Sequence, residues 1–163
     1  MMINLDSKRS QITFIIAWVV IFLSILLKGW STTWSVLVVP TMFPEFADMR
    51  TLQGALHSLN EGFDPQINNP GDPWGRSMNY PSIWISIAEI FNFEVESNFK
   101  IFVSAMVLIF LSCCLLLLKQ YPSLTLLALC FSGATLLAVE RGNNDMIIFS
   151  LLYFSVTIGG GIY

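Results

Sequence analysis

Three apolar runs, Ile12–Leu27, Phe99–Leu118 and Leu124–Val139, constrain this chain more than any other feature. Each is apolar around the helical circumference rather than along one stripe. A hydrocarbon layer of roughly 30 Å asks for about 20 such residues in helical form, whereas a soluble core asks for amphipathic alternation. A fourth run starts at Met146 and is still apolar at Ile158, where "GGGIY" follows. With 55% hydrophobic and 12% charged residues, the chain reads as an all-α polytopic membrane protein with a single membrane domain. Spans are expected over 12–27, 99–118, 123–139 and 145–160. Glycines followed by Ile162 and Tyr163 supply neither a cap nor a basic anchor, so the chain is expected to be a truncated part of a longer protein.

Lys8 and Arg9 precede the first run as in a signal peptide, but no small-x-small cleavage site follows in "LLKGWSTTWSV", and an uncleaved first span is expected. Cys113, Cys114 and Cys130 lie inside apolar runs without metal-site or disulfide-framework spacing and read as small buried hydrophobes. No stretch interleaves basic and aromatic residues as a nucleic-acid site does, so nucleic acid is not an expected partner.

Residues 28–98 differ in composition, holding eight of the eleven carboxylates, six of the seven prolines and the single histidine. Trp30 and Trp34 suit a membrane interface, with rings in the apolar zone and N–H groups among head groups. The stretch "DMRTLQGALHSLNEG" predicts an amphipathic interfacial helix over 48–61, with Leu52, Leu56, Leu59 and Phe63 on its apolar side. Asp48 is its expected N-cap and Gly62 its left-handed stop, while His57 falls on the polar side. The density of Pro, Gly, Asn and Asp in "FDPQINNPGDPWGRSMNYP" forbids regular structure. Asp64 and Asp72, each before proline, read as turn initiators; their oxygens could also hold a divalent cation, on weak spacing.

The run 81–91, "PSIWISIAEIF", decides the topology. Eleven helical residues span only about 16 Å, too little to cross, so a second interfacial helix is expected there, with Ile83, Ile87 and Ile90 toward lipid or the bundle. The N-terminus is then cytoplasmic, 28–98 is an outer loop, Lys119 lies inside and the hexapeptide "ERGNND" at 140–145 lies outside. Part of that hexapeptide is punctuation: Gly142 ends one helix, Asn143 and Asn144 turn, and Asp145 caps the next. Glu140 and Arg141 remain, and because adjacent helical residues point about 100° apart, each is expected to find another partner.

The order of a short cytoplasmic start, one span, an outer loop opening with "FADMRTLQGALHSLNEGFDP", a "NYPSIW" element and "ERGNNDMIIFSLL" at a helix entrance resembles a known family. It is similar to the N-terminal portion of the polytopic GT-C glycosyltransferases, most like the bacterial glycosyltransferase family 87 type. The second proline common after the tyrosine-proline element is Ser82 here. The resemblance implies a hexosyltransferase of the bacterial inner membrane that moves a sugar from a polyprenyl-phosphate-linked donor to a glycan or lipid acceptor hydroxyl, with membrane lipid as a further partner. No cofactor is expected beyond the divalent cation that Asp64 and Asp72 could hold. Asp48 is the implied catalytic base, with Glu45 as its alternate. Arg50, Arg76, Tyr80, Glu140, Arg141, Asn143, Asn144 and Asp145 are implied to line the substrate and its phosphate. The competing reading is a small non-catalytic membrane protein, a transporter or channel fragment or an assembly subunit. Against a transporter, the charges gather at helix ends and in one loop rather than at mid-membrane depth.

Overall fold

The computed structural model describes residues 6–159. Among them the chain forms helices α1 (Ser7–Lys28), α2 (Trp30–Val36), α3 (Ala47–Asn60), α4 (Ile83–Ile90), α5 (Glu96–Gln120), α6 (Leu124–Cys130), α7 (Gly133–Arg141) and α8 (Asp145–Gly159), with no strand. Three stretches, Ser7–Lys28, Glu96–Gln120 and Leu124–Arg141, are long and apolar enough to cross a membrane. The last of them is α6 and α7 in series. α8 is apolar but has 15 residues, and residue 160, the expected end of the fourth span, lies outside the described residues.

α1 is opened by Asp6, whose carboxylate accepts the Lys8 N–H at 2.9 Å. It runs antiparallel to α5, since the Ser7 hydroxyl donates to the Lys119 carbonyl at the far end of that helix. Phe14 and Trp18 pack on Phe131, with ring centroids 5.7 Å apart in both pairs. Phe131 sits where the expected third span is interrupted. At the break Ser132 caps α7 by accepting the Thr135 N–H at 3.3 Å, and the Thr135 hydroxyl donates back to the Leu129 carbonyl at 2.7 Å. Such a break is tolerated within an apolar span only because side chains satisfy the freed backbone groups.

At the opposite end from Ser7 and Lys119 lie the starts of α3, α5 and α8 and the end of α7. α3 departs from its expected form in two respects. It begins at Ala47, one residue early, because Phe46 takes the left-handed conformation (φ 64°) and its carbonyl accepts the Arg50 N–H. Asp48 therefore lies in the first turn and makes no capping hydrogen bond. Its buried residues are also not one stripe: Met49, Leu52, Ala55 and Leu56 are buried, but so are Arg50, Thr51 and Ser58, while Leu59 and Phe63 are each 42% exposed. The reason is that the 61–82 loop, although free of helix, is laid over α3. An alanine methyl at Gly54 would stand 2.5 Å from the Gly71 carbonyl carbon, so only paired glycines permit the approach. Around that contact the Ser58 hydroxyl donates to Asn69 Oδ1 (2.8 Å) and accepts from the Gly71 N–H (3.0 Å), and Asn69 Nδ2 donates to the Thr51 carbonyl (3.2 Å). Asp64 and Asp72 do initiate turns, accepting the N–H groups of Gln66 and Trp74. Gly62 adopts φ +87° beyond the end of α3, as expected of a left-handed stop.

The tryptophans correct another expectation. Trp34 is fully buried in the core rather than set among head groups, and Trp30 packs edge-on against it at 5.6 Å. α4 keeps Ala88 inward and leaves Ile83 and Ile90 exposed, and its eight residues are too few to cross a membrane.

Candidate functional site

The site is built around the first turn of α3, which an ion-pair cluster ties to the start of α5. Arg50, 6% exposed, donates from Nη2 to Glu96 Oε1 (2.8 Å), from Nη1 to Glu96 Oε2 (3.2 Å) and from Nε to the Glu45 carbonyl (2.8 Å). Its guanidinium also lies 4.7 Å over the Phe99 ring. A guanidinium engaged in this way anchors the helix and offers little to an outside anion. Glu45 meets Lys100 Nζ at 2.7 Å. Burial alone would raise the Glu45 pKa, but the Lys100 hydrogen bond and the charges of Lys100 and Arg50 outweigh it and hold the carboxyl below its ordinary range.

With the helix start fixed, Asp48 faces the other way. Asn143 Nδ2 donates to its Oδ2 at 3.0 Å, and Arg76 Nη1 lies 3.5 Å from its Oδ1. The Asp48 side chain remains 23% exposed. Arg76 is oriented by Asp72, whose fully buried carboxylate takes Nη2 at 2.9 Å, and by Trp74, whose ring lies 4.6 Å from the guanidinium carbon. Burial would raise Asp72 as well, but Arg76 and the N–H groups of Trp74 and Arg76 bring it below its ordinary value. Tyr80 stands near the same charges. Burial first, then the negative charges of Asp48 and Asp145, push its hydroxyl up to about 12 against the pull of Arg76. It therefore stays protonated at neutral pH, a hydrogen-bond donor and not a base.

The 140–145 loop forms the facing wall, lying alongside the segment that leads into Asp48. Arg141 Nη2 donates to the Pro40 carbonyl at 3.5 Å, Glu140 Oε1 accepts the Met42 N–H at 2.9 Å, Gly142 packs against Phe46, and Asn143 reaches Asp48. Gly142 ends α7 in the left-handed conformation, as expected (φ 62°). The cap of α8 is not Asp145, however: Asn143 Oδ1 accepts the Asp145 N–H at 2.8 Å, which leaves Asp145 inside the first turn. Nor do Glu140 and Arg141 avoid each other. Arg141 Nε lies 2.9 Å from Glu140 Oε2, close enough for an ion pair but not aligned as a hydrogen bond, so Oε2 has no hydrogen-bond partner. Long side chains folding back at a helix end overcome the 100° between adjacent positions. Asn144 is buried, with both ends of its carboxamide unpaired within the chain.

Beside this polar rim lies an apolar cavity of about 310 Å³ bounded by α1, α2, α5 and α7, with Phe22, Trp30, Phe46, Val107 and Val139 among its walls. Trp30 joins the two zones: its ring lines the cavity while its Nε1–H donates to Glu140 Oε1 at 3.3 Å.

Of the residues singled out from sequence, Asp48, Arg76, Tyr80, Asn143 and Asp145 gather in one place, and Glu140 and Arg141 stand next to it. Arg50 and Glu45 belong to the separate cluster with Glu96 and Lys100. His57 sits apart on the outer side of α3, 3.3 Å from Glu61. Among the described residues no three His, Cys, Asp or Glu side chains gather as metal ligands would. Asp72 and Trp74 escaped notice as site-shaping residues, although the i, i+4 spacing of Asp72 and Arg76 was a readable signal. Comparison with protein-family models, with characterised proteins and with solved structures gave no match.

Proposed function

We propose that this chain is the N-terminal part of a GT-C-type membrane glycosyltransferase, transferring a sugar from a polyprenyl-phosphate donor to an acceptor hydroxyl at the outer face of the bacterial inner membrane. The observation that carries the reading is the convergence of Asp48, Arg76 and Asn143, from three separate parts of the chain, with Phe46 just before Asp48 and Val139 just before Asn143 lining an apolar cavity between candidate spans. In this reading α8 is a fourth span, the N-terminus is cytoplasmic, and 28–98 with 140–145 faces outward. The acceptor hydroxyl loses its proton to Asp48 as its oxygen bonds to the anomeric carbon. The bond from that carbon to the phosphate oxygen breaks on the opposite face, and its electron pair leaves on the lipid phosphate, with inversion. Arg76 and Asn143 hold the Asp48 carboxylate in place, Tyr80 donates a hydrogen bond, and Arg141 is the cation for the phosphate.

The test is sugar transfer from a lipid-linked donor, in membranes bearing the complete reading frame that contains this chain. Asp48→Asn keeps the shape and one acceptor oxygen, so α3 should persist while transfer falls by about 10² to 10⁴-fold. Arg141→Lys should also lower transfer, because the planar fork is lost. Turnover near wild type in Asp48→Asn would remove this residue from the mechanism. A second reading has its own support: both Asp48 oxygens already have partners, as in a clamp that merely fastens the 61–82 loop to the α7–α8 turn. A non-catalytic subunit of that kind would lose thermal stability on Asp48→Asn and show no transfer in the wild type.

A further inference from the structure

We infer that Glu140 is a positioning residue, one that lays the segment from Pro40 to Asp48 along the α7–α8 turn and thereby sets where the Asp48 carboxylate stands. The catalytic meaning of that placement rests on the function proposed above; the placement itself does not. Glu140 is 0% exposed and cannot meet a ligand from solvent. Its Oε1 nevertheless collects two donors from distant parts of the chain, the Met42 N–H at 2.9 Å and the Trp30 indole N–H at 3.3 Å. Its Oε2 lies 2.9 Å from Arg141 Nε, and Arg141 in turn reaches the Pro40 carbonyl.

The segment needs such a fastening. Residues 37–46 contain no helix, and two of them, Val38 (φ 58°) and Phe46 (φ 64°), are non-glycine residues in the left-handed region, a conformation that persists only where surroundings impose it. Between them, Met42 gives its backbone N–H to a side chain instead of to a neighbouring turn. A buried carboxylate at that point is the strongest acceptor a protein can offer a backbone N–H. Contacts further along, Gly142 on Phe46 and Asn143 on Asp48, then fall into register from this one bond.

Hydrogen exchange on the membrane-embedded protein tests the inference through the Met42 amide and its segment. In Glu140→Ala, exchange over 40–46 should quicken at least about tenfold, the equivalent of about 1.4 kcal/mol, while the middle of α5 keeps its protection. Glu140→Gln retains an acceptor oxygen and should restore exchange to within about threefold of wild type, a rescue that mere volume filling would not need. Trp30→Phe removes one of the two donors and keeps the carboxylate. It should leave the Met42 amide protected, and it provides the reference should Glu140→Ala fail to fold. In the transfer assay Glu140→Ala should lower kcat with KM little changed, and Glu140→Gln should recover part of it. Unchanged exchange in Glu140→Ala, or exchange in Glu140→Gln as fast as in Glu140→Ala, overturns the positioning role. Expected exchange with no transfer in the wild type would instead sink the proposed function and leave the placement standing.

Discussion

Replacing Gly54 with alanine should destabilise this protein, although in an ordinary helix interior the same change stabilises by about 1 kcal/mol. The added methyl would lie 2.5 Å from both the Asp72 nitrogen and the Gly71 carbonyl carbon and 2.7 Å from the Gly71 oxygen, all backbone atoms that no rotamer change can withdraw. The 69–72 stretch must retreat by about 1 Å to restore van der Waals contact. That strains three hydrogen bonds, Ser58 to Asn69, Gly71 to Ser58 and Asn69 to Thr51. At about 1 kcal/mol each the loss is about 3 kcal/mol, and after the helix gain about 2 kcal/mol remains. For a chain of this size the Tm should fall by about 4–8 °C. Thermal unfolding in detergent measures the shift, and trypsin cleavage after Arg76 should quicken as the loop lifts. Gly133, with nothing within 4 Å of its would-be methyl, is the control, and alanine there should be neutral or mildly stabilising. A Gly54→Ala protein that melts at or above the wild-type temperature refutes the account of how the loop is held.

Other outcomes follow from the same geometry. A cysteine at 143 should label with an impermeant reagent from outside the cell and one at 120 only from the cytoplasm; because Asn143 touches Asp48, the reverse would mean that the whole chain is inverted, with 28–98 and 140–145 both inside. Asp72 has a lowered folded pKa, so its stabilisation is complete above its ordinary value of 3.8 and is lost as pH falls through the folded value. Asp72→Asn should thus lower stability at neutral pH and flatten the acid limb below about pH 4, and equal acid limbs in the two proteins would contradict the Arg76 pairing. In a spectrophotometric titration Tyr80 should ionise only near pH 12, and Asp48→Asn should bring that value down because one of the raising charges is gone. An unmoved titration would separate Tyr80 from Asp48.

How much of this was legible follows from the range of each signal. The three long apolar helical stretches were readable because apolarity over some 20 residues needs no knowledge of partners. α3 was readable as a helix, but its first residue and its buried faces were not. The former depends on a left-handed Phe46 seated on Trp30, and the latter on a loop returning over Gly54. That Arg50 is an anchor rather than a phosphate ligand is hidden in the sequence because its partner Glu96 lies 46 residues away at the start of another helix. The break at Phe131–Ser132 was hidden in a nearly unbroken apolar run, with only Ser132, an N-cap residue type followed by Gly133, to mark it. The meeting of Asn143 with Asp48 could be argued from topology, but only the folded chain supplies its distance.

That break also has a mechanical side. α7 has nine residues, a rod of about 13 Å, and carries Glu140 and Arg141 at its far end. The Thr135 hydroxyl bond to the Leu129 carbonyl ties its base to α6, and the bonds of Glu140 to Met42 and Trp30 tie its far end, so α7 is pinned at both ends. By simple trigonometry on that length, a tilt of about 10° would carry Arg141 through about 2 Å, enough to part Glu140 from the Met42 N–H. The stretch Leu124–Arg141 is therefore a jointed post braced above its joint, and the polar wall of the site stands only as firmly as those braces.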